Sequence, residues 1–188
     1  MDTKEHILSS AQRLVQQRGF NGFSYADVAD EVGIRKASLH HHFASKADLG
    51  VALVDAYAAQ FDQALANIDQ SGASALIRLK AYAQIYRATL DSDRICMCGM
   101  LATEMLTLDA SMLPNLKRFF TRNTEWLTEL LAAGRSQGVF AFDGAAADYA
   151  RLALSMLQGA SLVCRSSGDM DAFDRTTALL VKSFLRTG

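Results

Sequence analysis

Residues 33–46 read Gly33-Ile-Arg-Lys-Ala-Ser-Leu-His-His-His-Phe-Ala-Ser-Lys46. Gly33 closes one short helical stretch, and a few residues later Lys36 to Phe43 form another. Ile34, Leu39 and Phe43 are its core candidates. Ser45 stands where it caps a longer helix running from about Lys46 to Asn67. Two helices joined across a glycine turn are the skeleton of a helix-turn-helix unit. The charges of the stretch point the same way. Arg35, Lys36 and Lys46 are basic, His40, His41 and His42 follow one another, and no acid lies between Glu31 and Asp48. The first 48 residues carry six Lys+Arg against six Asp+Glu, so positive charge is concentrated here while the remainder is acidic. A helix entering a DNA groove needs such a patch, because phosphate neutralisation supplies most non-specific affinity. On charge alone the stretch reads equally well as a solvated basic turn.

Upstream, Ile7, Leu8, Ala11, Leu14 and Val15 repeat at the spacing of one helical face, and Gly19 is the stop. Ser24-Tyr-Ala-Asp27 is a short version of the capping box, and Val28, Ala29 and Val32 give the helix behind it an apolar side. Three short helices within about 45 residues define a head over residues 1–47. Residues 48–188 form a second, helical domain.

That domain shows no alternating pattern of strand length, no repeat and no low-complexity run. Leu76, Leu79, Tyr82, Ala83 and Tyr86 form one stripe, and Ile95 to Leu108 a short apolar helix. Pro114 suits the first turn of a helix to about Arg135. Helices over roughly 145–166 and from Asp171 to Leu185 complete the chain. The fold class is all-α. The single proline among 188 residues agrees, since turn-rich β folds recruit more. No stretch approaches the ~18 consecutive apolar residues of a membrane span, so no membrane partner is expected. The N-terminal residues do not read as a signal peptide. Three cysteines in no framework spacing fit a reducing compartment, so a cytoplasmic location is expected. A net charge of -1 argues by itself neither for nor against nucleic acid.

Over about residues 4–50, the run Ile7-Leu8, Ala11, Leu14, Gly19-Phe20, Ser24-Tyr-Ala-Asp-Val-Ala and the stretch from Gly33 to Lys46 resemble the TetR family of bacterial repressors. The resemblance implies that Lys36, Ala37, Ser38 and His41 face the major groove, where base edges are read. It implies phosphate contacts by Ser24, Tyr25, His40 and Lys46, with His42 and Phe43 packing inward. Arg35 stands where the family often has a Ser or Thr cap, and adds a cation beside the groove. His40 stands where a tyrosine usually touches phosphate. Three neighbouring histidines do not make a metal site, because sequence neighbours on a helix point about 100° apart. No metal and no cofactor are expected.

Arg94-Ile-Cys-Met-Cys-Gly-Met-Leu-Ala-Thr-Glu104 resembles a subgroup of the same family with a cysteine at the start of the sixth helix and Leu-Ala-x-Glu after it. Some members of that subgroup sense oxidants or electrophiles at this cysteine, which makes Cys96 a candidate redox sensor. A helix N-terminus and nearby Arg94 both favour a thiolate. The alternative is a small buried apolar residue; Cys98 and Cys164 are read as core. The family's interior pocket implies a small-molecule effector, with Tyr82, Tyr86, Met100, Glu104, Phe120 and Trp126 as candidate ligand contacts. Glu104, on an apolar helix, needs a partner if buried, and Arg122, Arg87 or a cationic ligand group are candidates. Leu152, Met156, Ala160 and Val163, with Phe173, Leu180 and Phe184, form the expected interface of a homodimer. The alternative is that these faces bury within one chain.

The expected function is a dimeric repressor on a palindromic double-stranded DNA operator, released by a small molecule or by modification of Cys96. No catalytic residues are assigned. A small helical thiol enzyme is the competing reading from another class, but no histidine lies beyond residue 42 to serve as its base. An interaction module without DNA binding is the third.

Overall fold

The computed structural model describes residues 2–185. Those residues are helical with no strand: α1 (Thr3–Arg18), α2 (Tyr25–Val32), α3 (Lys36–His42), α4 (Lys46–Gln70), α5 (Ala75–Asp91), α6 (Met97–Thr103), α7 (Leu113–Ser136), α8 (Ala146–Ser167) and α9 (Asp171–Phe184). A single 3-10 turn, Ala110–Met112, leads into α7.

Capping chemistry sets the first helices. The N–H of Asp2 donates to Glu5 Oε2 at 3.0 Å, closing a box at the start of α1. At α2, the Ser24 hydroxyl and N–H both donate to Asp27 Oδ2 at 2.6 Å. The same arrangement recurs at α4, where Ser45 donates to Asp48 Oδ2 from N–H at 3.0 Å and from the hydroxyl at 2.7 Å. The shorter aspartate thus closes a box as glutamate does. Gly33 ends α2 at φ 75°, a left-handed cap that turns the chain into α3.

The chain forms two compact units. Residues up to Phe61 pack with Arg94–Phe119 in one, and Asp62–Asp93 with Phe120 onward in the other. The first unit is built on Ile7, Leu14, Val28, Leu39, Leu49 and Leu53, all 2 % exposed or less. Burial of each such side chain contributes about 1.5–3 kcal/mol. Tyr57, Phe61 and Phe119 add a ring cluster, with centroids 5.6 Å apart for Tyr57–Phe119 and 5.2 Å for Phe61–Phe119. The Ile95 N–H donates to the carbonyl of Gln16 at 3.2 Å, so the segment entering α6 is pinned to α1.

The expected helix from Ile95 to Leu108 is shorter than its apolar pattern suggests: α6 ends at Thr103, and Glu104 is its C-cap. The far end of the stretch is anchored elsewhere. Glu104 turns its carboxylate to backbone amides elsewhere in the unit, and the chain continues as turns to the next helix.

In the second unit, α5, the rest of α7, α8 and α9 share a core. Phe173, Leu180 and Phe184 are 2 % exposed or less and belong to it. Phe184 meets the rings of Phe140, Phe142 and Tyr149 edge-on. These three residues, expected at an interface between copies, are packed within one chain. Their spacing is that of α9's inward face, and the inward and outward faces of a helix carry the same period.

Candidate nucleic-acid interface

The third helix is short and presents one face. Leu39 is buried, Ser38 is half-buried, and Arg35, Lys36, Ala37, His40 and His41 are exposed. Arg35 is the N-cap and makes no side-chain capping bond, so its guanidinium is not spent on the helix end. Lys36, His40 and Lys46 surround a hollow of about 290 Å³ with Phe23, Ser24 and Tyr25. The hollow opens at the start of α2, where helix amides favour an anion. Cations and a helix N-terminus around one hollow suit a backbone phosphate.

Within this set the structure distinguishes side chains that face outward from those already engaged. The Tyr25 hydroxyl is directed at the carbonyls of Phe43, 3.0 Å away, and Ser45, 2.5 Å away. Burial, with Asp48 beside it, pushes its pKa to about 12, so it remains a phenol holding the α3–α4 turn. The Ser24 hydroxyl is occupied by Asp27. The Lys46 ammonium donates to the carbonyls of Phe20 at 2.6 Å and Phe23 at 2.5 Å. It lies 4.8 Å and 4.2 Å from the centres of those two rings. Burial lowers its pKa from the ordinary lysine value, while Glu104 and Asp27 oppose that shift. His40 Nδ1 is 3.3 Å from the carbonyl of Ala44. A carbonyl only accepts, so this contact uses the tautomer with its proton on Nδ1. Lys36 is therefore the lysine at this hollow without an internal partner among the described residues.

A second constellation joins this head to α6. Glu104 Oε2 accepts from the N–H of Phe20 at 2.7 Å and of Asn21 at 3.3 Å. The Asn21 side chain donates to Thr107 Oγ1 at 2.8 Å. Gly19 lies against the same carboxylate at φ 82°, and a Cβ there would collide with it. Neither arginine named from the sequence is Glu104's partner. Arg122 pairs with Asp62, and Arg87 with Asp91 and Asp174. Amides some 84 residues away in sequence satisfy the acid instead, and nothing in the local pattern signals them.

At the other end of α6, Cys96 is the N-cap residue and 2 % exposed. The Tyr57 hydroxyl is 3.5 Å from its sulfur. Burial, with Cys96 adjacent, raises the Tyr57 pKa well above the usual value, so the phenol keeps its proton and donates it. Burial raises the Cys98 thiol in the same direction. Cys98 and Cys164 are both buried. Met100, also on α6, is half-buried.

Of the other candidate ligand contacts, Tyr82, Tyr86 and Trp126 come together. The Tyr82 hydroxyl is 3.1 Å from that of Tyr86 and 3.0 Å from Asn123 Oδ1, and its ring stacks on Trp126 at 5.3 Å. Trp126 Nε1–H donates to Asp69 at 3.0 Å. Phe120 is half-buried on α7. Asn123 was not singled out from the sequence. A polar residue four positions from Phe119 and Leu127 on an apolar stripe was the signal for it. Among the described residues no three His, Cys, Asp or Glu side chains group to hold a metal ion. No helix among them is long and apolar enough to cross a membrane.

Residues 7–53 match the family of bacterial regulatory proteins named tetR. The fold superposes on a TetR-family transcriptional regulator from Agrobacterium tumefaciens with a TM-score of 0.94 and 32% identity, over 98% of each chain. The sequence is 27% identical to the HTH-type transcriptional repressor NemR of Escherichia coli K12, over 99% of this chain and 95% of the relative. The structure of NemR in its reduced form superposes with a TM-score of 0.86 and 28% identity, covering 99% of this chain and 98% of that one.

Proposed function

The chain belongs to the TetR family of bacterial transcriptional regulators and is a repressor, not an enzyme; from that premise we propose that it holds a near-palindromic double-stranded operator as a homodimer and that an effector releases it by acting through α6. The observation that carries this reading is the Glu104 carboxylate on the Phe20 and Asn21 amides. It ties the end of α6 to the turn that orients α2, in the unit that presents the basic third helix. A ligand changes DNA binding only if it has different affinities for two states, and such a tie is what makes the states of α6 and of the head interdependent. Residues 1–47 supply the DNA-reading head in this proposal, and residues 48–188 the effector and dimerisation functions. Half-sites then lie whole helical turns apart, at about 10–10.5 bp or multiples.

On the DNA side, Lys36, Ala37, Ser38 and His41 read the groove, and Arg35 adds a cation beside it. Ser24, Tyr25, His40 and Lys46 shape the phosphate hollow, Tyr25 and Lys46 by holding backbone carbonyls. Lys36→Ala is expected to cost about 1–3 kcal/mol of operator affinity if it makes a paired base contact. Lys46→Ala removes two charge-assisted hydrogen bonds and is expected to lower stability by about 1–3 kcal/mol, seen as a lower melting temperature. A salt-titrated mobility shift and thermal unfolding check both. Unaltered operator binding by Lys36→Ala refutes the assigned face.

The effector side has two routes. In the first, a small molecule enters the interior of the second unit and bears on Phe120, Trp126, Tyr82 and Tyr86. The second is favoured by the Tyr57–Cys96 contact. Oxygen or carbon added to that sulfur enlarges a buried group packed beside Tyr57, which close packing does not accommodate. The relative solved in a reduced form supports this second route by similarity.

A further inference from the structure

On the flank of α5 and α9 lies a groove of about 360 Å³ that neither route uses. Its floor is apolar, with Ala83, Phe173, Val181 and Leu185. Lys80, Arg87 and Lys182 line it against one acid, Asp174. The acid is spent: both its oxygens accept from Arg87 Nε at 3.1 Å. Lys80 and Lys182 are exposed and have no ion-pair partner among the described residues. Thr177 also lines the groove, and its hydroxyl oxygen is shielded from solvent and without a hydrogen-bond partner.

We propose that this groove binds an apolar carboxylate, an acyl chain of medium length lying on Ala83, Phe173 and Val181 with its carboxylate between Lys80 and Lys182. Volume, apolar floor and a few convergent polar groups are the properties of small-molecule sites. The uncompensated lysines select an anion over a cation or a neutral chain. The groove side of α9 carries Thr177 and Val181. Exposed Leu179 is two residues from each, roughly 160° around the helix. A partner subunit seated on Leu179 therefore covers the opposite flank. The inference is independent of α6 and of the tie at Glu104.

Decanoate below its micellar concentration, titrated calorimetrically into the full chain, tests it. One saturable site per chain is expected, with decyltrimethylammonium, of equal chain length and opposite charge, binding at least about tenfold more weakly. The pair Lys80→Glu, Lys182→Glu should reverse that preference. Ala178→Trp, at an exposed position lining the groove, should abolish binding with the melting temperature unchanged. Absence of saturable decanoate binding overturns the proposal. So does binding that survives Ala178→Trp, or equal affinity for the two headgroups in the unmodified protein. If the tryptophan variant fails to fold, the charge-reversed pair, altered only on exposed lysines, decides alone.

Discussion

Glutamates at Val163 and Leu179 are expected to yield a folded monomer whose affinity for a two-half-site operator falls by about 10²–10⁴. Val163 is 64 % exposed and Leu179 66 %, and Leu152 and Leu162 join them at 47 % and 39 %. Leu152, Met156, Gly159 and Val163 follow one another at i, i+4, i+7 and i+11, which is one face of α8. A Cβ added at Gly159 would touch nothing within 4 Å, so the middle of that face is open to a close-packed helix. Carboxylates inside such a contact lose hydration without gaining partners. The size of the effect comes from avidity: two linked heads bind the second half-site at a high effective concentration, and a monomer forfeits that gain without losing any contact of its own. Affinity for an isolated half-site should therefore be unchanged. Light scattering and mobility shifts with one and two half-sites check the pair of expectations. A dimer that persists in the double variant sinks this interface. Leu180→Glu is the contrasting control. Leu180 is 2 % exposed, so a charge there should unfold the second unit instead of dividing a dimer.

The contrast between Leu179 and Leu180 marks what was legible in the sequence. Periodicity locates helices well, because burying a stripe is what gives a helix its pattern. The three short helices, the Gly33 turn and the aspartate capping boxes follow from neighbours a few residues apart. Whether a stripe on α9 faces its own chain or another copy does not follow, since both environments are dry and close-packed. The sequence pattern selected Phe173, Leu180 and Phe184, which the chain itself buries, and passed over Leu179. Long-range polar contacts were equally invisible. Lys46 reads as a phosphate ligand because it is basic and sits beside a reading helix, yet two carbonyls of the α1–α2 turn capture its ammonium. Glu104 reads as an acid in search of an arginine, and two backbone amides capture it. Backbone groups are the same at every position, so no residue-type pattern advertises them as partners.

Paired measurements on Glu104→Gln and Cys96→Ser are expected to separate sensing from transmission. Both proteins should bind the operator, because neither residue belongs to the exposed face of α3. Hydrogen peroxide converts a thiol to a sulfenic acid and releases water. At Cys96 the added oxygen falls where the Tyr57 hydroxyl approaches the sulfur, within a residue that is 2 % exposed. Displacing the N-cap of a seven-residue helix moves the helix as a whole, and its C-cap is Glu104. The carboxylate is then drawn from Phe20 and Asn21, and the turn before α2 loses its acceptor. Cys96→Ser removes the oxidisable sulfur and should abolish release by peroxide, while release by an interior ligand persists. Glu104→Gln keeps the shape but replaces a charged acceptor with a neutral one, weakening the bond to the amides. The factor by which either stimulus lowers operator affinity, typically 5–150-fold in coupled systems, should shrink toward unity for peroxide and ligand alike. Mobility shifts with and without each stimulus give the four factors. Full response to both stimuli in Glu104→Gln eliminates the tie as the path of transmission. Full response to peroxide in Cys96→Ser returns Cys96 to core packing. Loss of the ligand response in Glu104→Gln, with the peroxide response intact, confines the tie to the ligand's route.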